Sequence, residues 1–454
     1  MRQLDCFKAY DIRGKLGDEL NEEIAYDIGA ALAQILEPRV VVLGGDCRET
    51  SDSLKAAVAR GLLDMGVDVL DIGMCGTEEV YFATDHLNAD AGIEVTASHN
   101  PIDYNGMKMV GQGSRPLDPA TEMVAIREAA ERRAFDLPER QGSLTQVDIR
   151  QPYGAKVCSF IEPSKLKPLK ILVNAGNGAA GPAFDEIARQ LAAKGAPVSF
   201  VRMDHEPDPS FPNGIPNPLL EKNQPRTAAA VREHNADFGV AWDGDFDRCF
   251  FFDHTGTFID GYYIVGLLAE QALGANEGAT IIHDPRMIWN TREIVAEMGG
   301  TSVQARTGHA FQKSAMREHS AIYGGEMSAH HYFRDFMYCD SGMIPWLMVA
   351  ELVSSKGQPL AELVADRKAK FPASGEQNFK IEDPAAALKA VETALQSEAI
   401  QIEFFDGLSM DFGDWRMNLR SSSTEPLVRL NIETRGDAAA VKVHLNRVKK
   451  LLGV

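Results

Sequence analysis

Residues 40–73 read "VVVLGGDCRETSDSLKAAVARGLLDMGVDVLDIG". A β-branched apolar run passes through a glycine-containing loop into an amphipathic stretch, stops at Gly66 and resumes as a second apolar run. Strand, helix, glycine stop, strand is the pattern of a βαβ unit. It returns at 169–203, "LKILVNAGNGAAGPAFDEIARQLAAKGAPVSFVRM", with Gly195 at the helix end. It returns again at 279–308, "ATIIHDPRMIWNTREIVAEMGGTSVQARTG", with Gly299 and Gly300 in that place. Three such units predict mostly parallel sheets packed between helices, hence three related α/β domains.

The C-terminal stretch is built differently. "DPAAALKAVETALQSE" (383–398) reads as a helix, and a second amphipathic helix is predicted over Ala438 to Leu452. In "LVRLNIETR" (427–435), Val428, Leu430 and Ile432 alternate with Arg429, Asn431 and Glu433, which predicts a half-exposed strand in a small α+β domain with antiparallel strands. A chain of 454 residues has room for about three or four domains at roughly 100–200 residues each. The stretches "EPSKLKPLK" (162–170), "DHTGTFIDG" (253–261) and "RKAKFPASGEQN" (367–378) read as connections. The expected domains are therefore 1–150, 151–254, 255–367 and 368–454.

Composition narrows the class. The chain is 44% hydrophobic and 24% charged, with a net charge of −19. That balance argues against nucleic acid or an anionic membrane as the main partner, though a local arginine cluster can still bind a small anion. The cysteines Cys6, Cys47, Cys75, Cys158, Cys249 and Cys339 form no CxxC pair, so neither a structural zinc nor a disulfide framework is expected. The start "MRQLDCFKAYDIRG" has no apolar leader core, and "MIPWLMVAELV" (343–353) is too short to span a bilayer. A cytoplasmic location is the expectation.

The sharpest chemical signal is "DFGVAWDGDFDRC" (237–249). An apolar run ends at Trp242, and Asp243, Asp245 and Asp247 then alternate with Gly244 and Phe246. Carboxylates at i, i+2 and i+4 converge on an extended or looped backbone, and like charges so close call for a cation. Hard oxygen ligands favour Mg²⁺ over zinc. A solvated acidic turn is the bland alternative. A calcium EF-hand fails, because Arg248 stands where its glycine belongs and His254 where its final glutamate belongs. An aspartyl phosphotransferase with Asp243 as nucleophile stays open.

Five further segments carry groups suited to phosphorylated sugars. "GIEVTASHNPIDYNGMK" (92–108) ends an apolar run in Thr96, Ser98, His99 and Asn100 and closes on Lys108. "LRSSSTEPLVRL" (419–430) places Arg420, Ser421, Ser422, Ser423, Thr424 and Arg429 within reach of one anion, or is a serine-rich hairpin turn. "YGGEMSAHHYF" (323–333) offers Glu326 and Ser328 for sugar hydroxyls, and His330 and His331 for phosphate, proton transfer, a metal or packing. "RTGHAF" (306–311) and "YDIRG" (10–14) place His309 and Arg13 at turns.

Taken in order, "YDIRG", "TASHNP", "DGDFDR", "GEMSAHHYF" and "RSSSTEP" resemble the α-D-phosphohexomutase superfamily over essentially the whole chain, and within it the bacterial phosphomannomutases. The resemblance implies three related α/β domains with mixed sheets plus a C-terminal α+β domain around a central cleft. It implies interconversion of mannose 6-phosphate and mannose 1-phosphate in support of GDP-mannose synthesis, with a hexose 1,6-bisphosphate as activator and intermediate. Phosphoglucomutase or dual-specificity activity is the near alternative, and a sugar-phosphate binding protein a more remote one. By motif, Ser98 would carry a phosphoryl group and, with Asp243, Asp245 and Asp247, ligate Mg²⁺. Arg13, Lys108 and Arg248 would surround the transferring group, and His309 and His330 would handle protons or phosphate. Glu326 and Ser328 would hold the sugar. Arg420, Ser422, Ser423, Thr424 and Arg429 would grip the distal phosphate, with Tyr10 and Arg286 as further contacts. The expected partner is a sugar phosphate, with no nucleic acid and no membrane, and a monomer or homodimer is expected. Two departures from the family pattern stand out: Phe246 where many relatives have glycine, and Ser423 where asparagine is frequent.

Overall fold

The structure is a computed structural model; it describes residues 3–421 and 427–454. The chain forms two compact units, Met1–Phe258 with His330–Gly357, and Ile259–Ala329 with Gln358–Val454.

In the first unit, strand Val40–Gly45 lies parallel to Asp68–Met74 and to Ala91–Val95, with helix Ser51–Asp64 as the crossover, as the pattern of 40–73 predicts. Leu144–Gln146 extends the sheet in parallel at one edge. At the other, Tyr104–Gly111 runs antiparallel between Ala91–Val95 and Ile12–Lys15. The apolar run Val41 to Leu43 is fully buried, as a strand covered on both faces requires. Helices Glu22–Leu36 and Ser51–Asp64 approach closely because Gly29 faces the Val58 backbone and Gly61 faces the Tyr26 carbonyl; a Cβ at either would clash.

The second βαβ unit follows the same logic. Leu169–Asn174 and Val198–Met203 are parallel around helix Ala180–Ala193. Phe238–Trp242 joins in parallel, and Cys249–Asp253 returns antiparallel to it. The acidic loop is thus a hairpin connection between two fully buried strands. The same unit also holds the hairpin of His331–Phe333 and Cys339–Asp340 and the buried helix Met343–Lys356. Buried Glu78 joins this helix to Thr77–His86: its carboxylate accepts from Gly342 N, Met343 N, Ser341 Oγ and Tyr153 OH. A carboxylate at the N-terminus of Met343–Lys356 also meets the positive end of its dipole.

In the second unit, Thr280–His283 lies parallel to Thr301–Gln304 and Tyr323–Gly325, completing the third predicted repeat. The C-terminal sheet, in the order Gln377–Lys380, Leu427–Thr434, Trp415–Ser421, Leu408–Asp411, Gln401–Glu403, is wholly antiparallel. Helices Pro384–Leu395 and Ala438–Leu452 accompany it, as expected. One expectation is corrected. Leu427–Thr434 is not half-exposed: Asn431 and Glu433, on its polar face, are 0% exposed. Arg416, Tyr262 OH and the Ile288 amide all donate to Glu433, which is buried but satisfied, while Asn431 Nδ2 donates to Met327 Sδ and its Oδ1 has no hydrogen-bond partner among the described residues. Among the described residues no helix is long and apolar enough to cross a membrane.

Candidate active site

Two loops meet in the first unit, each leaving the carboxyl end of a parallel strand, where α/β sheets place their ligands. One follows Ala91–Val95 and carries Ser98; the other follows Phe238–Trp242 and carries the aspartates. Ser98 Oγ donates to Asp243 Oδ2 at 2.9 Å and lies 3.0 Å from His99 Nδ1. The approach is tight enough that a Cβ on Gly244 would run into the Ser98 carbonyl, so only glycine fits between the two loops.

Ser98 is held in the left-handed region, φ 47°, a conformation that costs a non-glycine residue about 1–2 kcal/mol. Arg48 explains how it persists. Its guanidinium donates to the carbonyls of Ser98 (2.9 Å), Asn100 (2.6 Å), Pro101 (3.0 Å) and Tyr104 (3.2 Å), fixing the whole turn from inside. Thr96 Oγ1 accepts from the Ser98 amide and donates to Asp46 Oδ2. Arg13 donates to the Thr96 carbonyl and pairs with Asp11 at 2.9 Å. Sequence reading missed Arg48; the signal available was its place in the glycine loop at the carboxyl end of Val40–Gly45.

Asp243, Asp245 and Asp247 are buried, with ligand oxygens within 4.8 Å of one another. Lys108 Nζ donates to Asp245 Oδ2 at 2.7 Å and to Asp247 Oδ2 at 2.5 Å, and Thr77 Oγ1 donates to Asp245 Oδ2 at 2.7 Å. Burial alone would raise both carboxyls, but the Lys108 ammonium holds Asp245 and Asp247 below the ordinary carboxylate range. The same pairs push Lys108 up against burial. Each aspartate keeps its Oδ1 buried with no hydrogen-bond partner among the described residues. Three orphaned anionic oxygens in one cluster suit a hard divalent cation. Phe246 also takes a left-handed backbone, φ 45°, and its ring sits against Gly76. That backbone is one glycine adopts without cost.

Arg248 Nε lies 3.5 Å from Asp243 Oδ2 and 3.2 Å from His330 Nε2. His330 Nε2 is 3.6 Å from Asp247 Oδ1 and 4.0 Å from Asp340 Oδ2. The first unit therefore brings together Ser98, Lys108, Asp243, Asp245, Asp247, Arg248 and His330, with Arg13 tied to the Ser98 loop. Tyr10 lies half-buried in the turn before Ile12–Lys15.

The second unit assembles another set. Arg286 Nη2 donates to Asp284 Oδ2 at 2.7 Å and to Ser328 Oγ at 3.2 Å, and lies 3.8 Å from Glu326 Oε1. Glu326 Oε1 accepts from the Gly308 amide at 2.9 Å, beside His309, which opens helix His309–Glu318 with Nδ1 3.3 Å from Lys313 Nζ. Arg420 and Arg429 face each other in register on Trp415–Ser421 and Leu427–Thr434. The expected phosphate contacts Ser422, Ser423 and Thr424 lie outside the described residues.

Fold and side-chain chemistry together define a class of phosphate-handling α/β enzymes, and comparison with known proteins places the chain within it. Family models for phosphoglucomutase/phosphomannomutase match over 5–136 (α/β/α domain I), 151–256 (domain II), 260–371 (domain III) and 376–450 (C-terminal domain). The phosphomannomutase of Salmonella montevideo is 58% identical over 100% of both chains, and that of Escherichia coli K12 56% over 100% of both. A phosphoglucomutase/phosphomannomutase family protein of Burkholderia thailandensis is 31% identical and superposes with a TM-score of 0.87, covering 100% of this chain and 98% of that one. The N-acetylphosphoglucosamine mutase of Aspergillus fumigatus, solved with glucose 1,6-bisphosphate, shares the fold at 15% identity and a TM-score of 0.62, over 99% and 95%. The chain belongs to the phosphoglucomutase/phosphomannomutase family. It is an isomerase, a phosphohexomutase.

Proposed function

We propose that this phosphohexomutase interconverts mannose 6-phosphate and mannose 1-phosphate by way of phospho-Ser98 and a hexose 1,6-bisphosphate, and so supplies GDP-mannose synthesis. The observation that carries the reading is the Ser98 hydroxyl, 2.9 Å from Asp243 among three carboxylates with orphaned oxygens. Relatives named phosphomannomutase at 56–58% identity support mannose as the sugar. Glucose phosphates are the second substrate class, because no residue described above reads the configuration at C2.

In this reading phospho-Ser98 gives its phosphoryl group to the free hydroxyl of the sugar monophosphate. The sugar oxygen bonds to phosphorus as the bond to Ser98 Oγ breaks, the sugar hydroxyl gives up its proton, and Oγ regains one. The bisphosphate then returns its other phosphoryl group to Ser98 by the reverse step. Arg13, Lys108 and Arg248 offer cationic donors to the phosphoryl oxygens, and His309 and His330 hold phosphate or move the hydroxyl proton. Asp243, Asp245 and Asp247, with Ser98, would hold Mg²⁺, which when bound neutralises charge on the phosphoryl oxygens. Glu326 and Ser328 hold sugar hydroxyls, while Arg286, Arg420 and Arg429 grip the phosphate that is not in transfer, with Ser422, Ser423, Thr424 and Tyr10 as further contacts. The sugar must present each end in turn, so this distal site reads phosphate and not one end of the ring.

Mutase rates on mannose 1-phosphate and glucose 1-phosphate, with Mg²⁺ and a trace of hexose 1,6-bisphosphate, test the reading, and no turnover of either sinks it. Ser98→Ala is expected to abolish turnover and the phosphoryl adduct seen by intact mass. An adduct that survives Ser98→Ala and vanishes in Asp243→Asn would instead assign the aspartyl chemistry.

A further inference from the structure

The second unit already holds an anion where its arginines converge. Glu376 lies between helix Leu360–Lys370 and strand Gln377–Lys380. Its Oε2 is 3.3 Å from Arg286 Nη1 and 3.3 Å from Arg420 Nη2, and its Oε1 is 3.4 Å from Arg429 Nη1. The carboxylate is 14% exposed, against 3%, 15% and 30% for the three arginines, so the group is largely shielded from water. Each guanidinium engages Glu376 through one terminal nitrogen. The Nε of each is buried without a hydrogen-bond partner among the described residues. Phosphate prefers the fork of an Nε and the Nη2 beside it on one arginine; at Arg420 the Nη2 half is spent on Glu376 while the Nε is idle, and at Arg286 the Nη2 half is spent on Asp284 and Ser328.

We propose that Glu376 is a built-in stand-in for the distal phosphate: its carboxylate keeps the three guanidinium groups converged between turnovers and gives up its contacts when phosphate arrives. Three like charges held this close repel unless an anion sits among them, and Glu376 supplies one. Burial would raise its carboxyl, but Arg286, Arg420 and Arg429 hold it below its ordinary value, so it is present as the anion. A phosphate on the same donors then meets a competing negative charge. Affinity is thereby held down, which suits a site that must release and rebind its ligand within each catalytic cycle.

The inference rests on reading these arginines as a phosphate site, and inorganic phosphate separates the two. The measurement is the rise in thermal unfolding midpoint with phosphate concentration, for the whole chain and for Glu376→Gln, which keeps shape and removes charge. Glu376→Gln is expected to melt lower without phosphate and to bind it about tenfold more tightly, a loss of charge repulsion. A merely structural glutamate would loosen the cluster and weaken binding. Equal or weaker binding by the variant overturns the inference and leaves the phosphate site standing; absence of binding to the unaltered chain overturns both. If Glu376→Gln does not fold, a crystal structure of the unaltered chain with phosphate decides. Glu376 withdrawn from at least one arginine supports the proposal, and phosphate bound with all three contacts intact overturns it.

Discussion

Lys108 shows how much one side chain can carry. It is 7% exposed and sits between two buried carboxylates that would otherwise repel across a few ångströms. Removing one member of a buried ionic group leaves uncompensated charge and costs about 3–5 kcal/mol. Lys108→Met is expected to lower the free energy of urea unfolding by that order, and Mg²⁺ is expected to recover part of the loss, because a divalent cation can take over the neutralising role. Equal stabilisation of the parent and the variant by Mg²⁺ would count against it. The type and spacing of Asp243, Asp245 and Asp247 pointed to convergence from sequence alone. Arg48 and Glu376 did not announce themselves. Arg48 acts on carbonyls, which carry no residue signature, and Glu376 falls in a stretch whose proline, serine and glycine read as a connection.

At the scale of elements, the three βαβ repeats were legible because apolar period and glycine stops are local properties. The strand Leu427–Thr434 was legible as a strand but not in its burial, since what covers Asn431 and Glu433 comes from other segments. The N-cap of helix Gly261–Ala275 is a further case of local sequence set in a tertiary environment. Asp260 caps it by accepting from the Tyr262 amide at 2.8 Å, yet burial pushes its carboxyl up to about 6. The native state therefore keeps a proton that the unfolded chain releases between pH 3.8 and about 6. The contribution of Asp260 to stability falls as pH rises through that window and is level above it. Asp260→Asn keeps the cap and removes the charge. It is expected to remove this share of the pH dependence of the unfolding midpoint in that window and to add about 3 kcal/mol at pH 8. An unchanged slope would assign the dependence elsewhere.

For the molecule as a whole, a net charge of −19 suits divalent cations and opposes sugar phosphates at long range, so a guanidinium cluster must supply the local attraction. Arg420→Ala is expected to raise KM about 10–100-fold for both mannose 1-phosphate and mannose 6-phosphate, the worth of one charge-assisted hydrogen bond. A rise confined to one isomer in steady-state kinetics would contradict a site that reads phosphate alone. By itself, the sequence determined the repeated α/β units, the antiparallel last sheet and the residue types of the proposed phosphoryl-transfer site, because hydrophobic period, glycine placement and carboxylate spacing are written along the chain. Only the tertiary structure decided that Ser98 donates to a carboxylate 145 positions away. It alone decided that Arg48 clamps the serine turn, and that a glutamate from a connecting stretch occupies the arginine cluster. Those contacts depend on where strands end in space, and no local pattern along the chain encodes that.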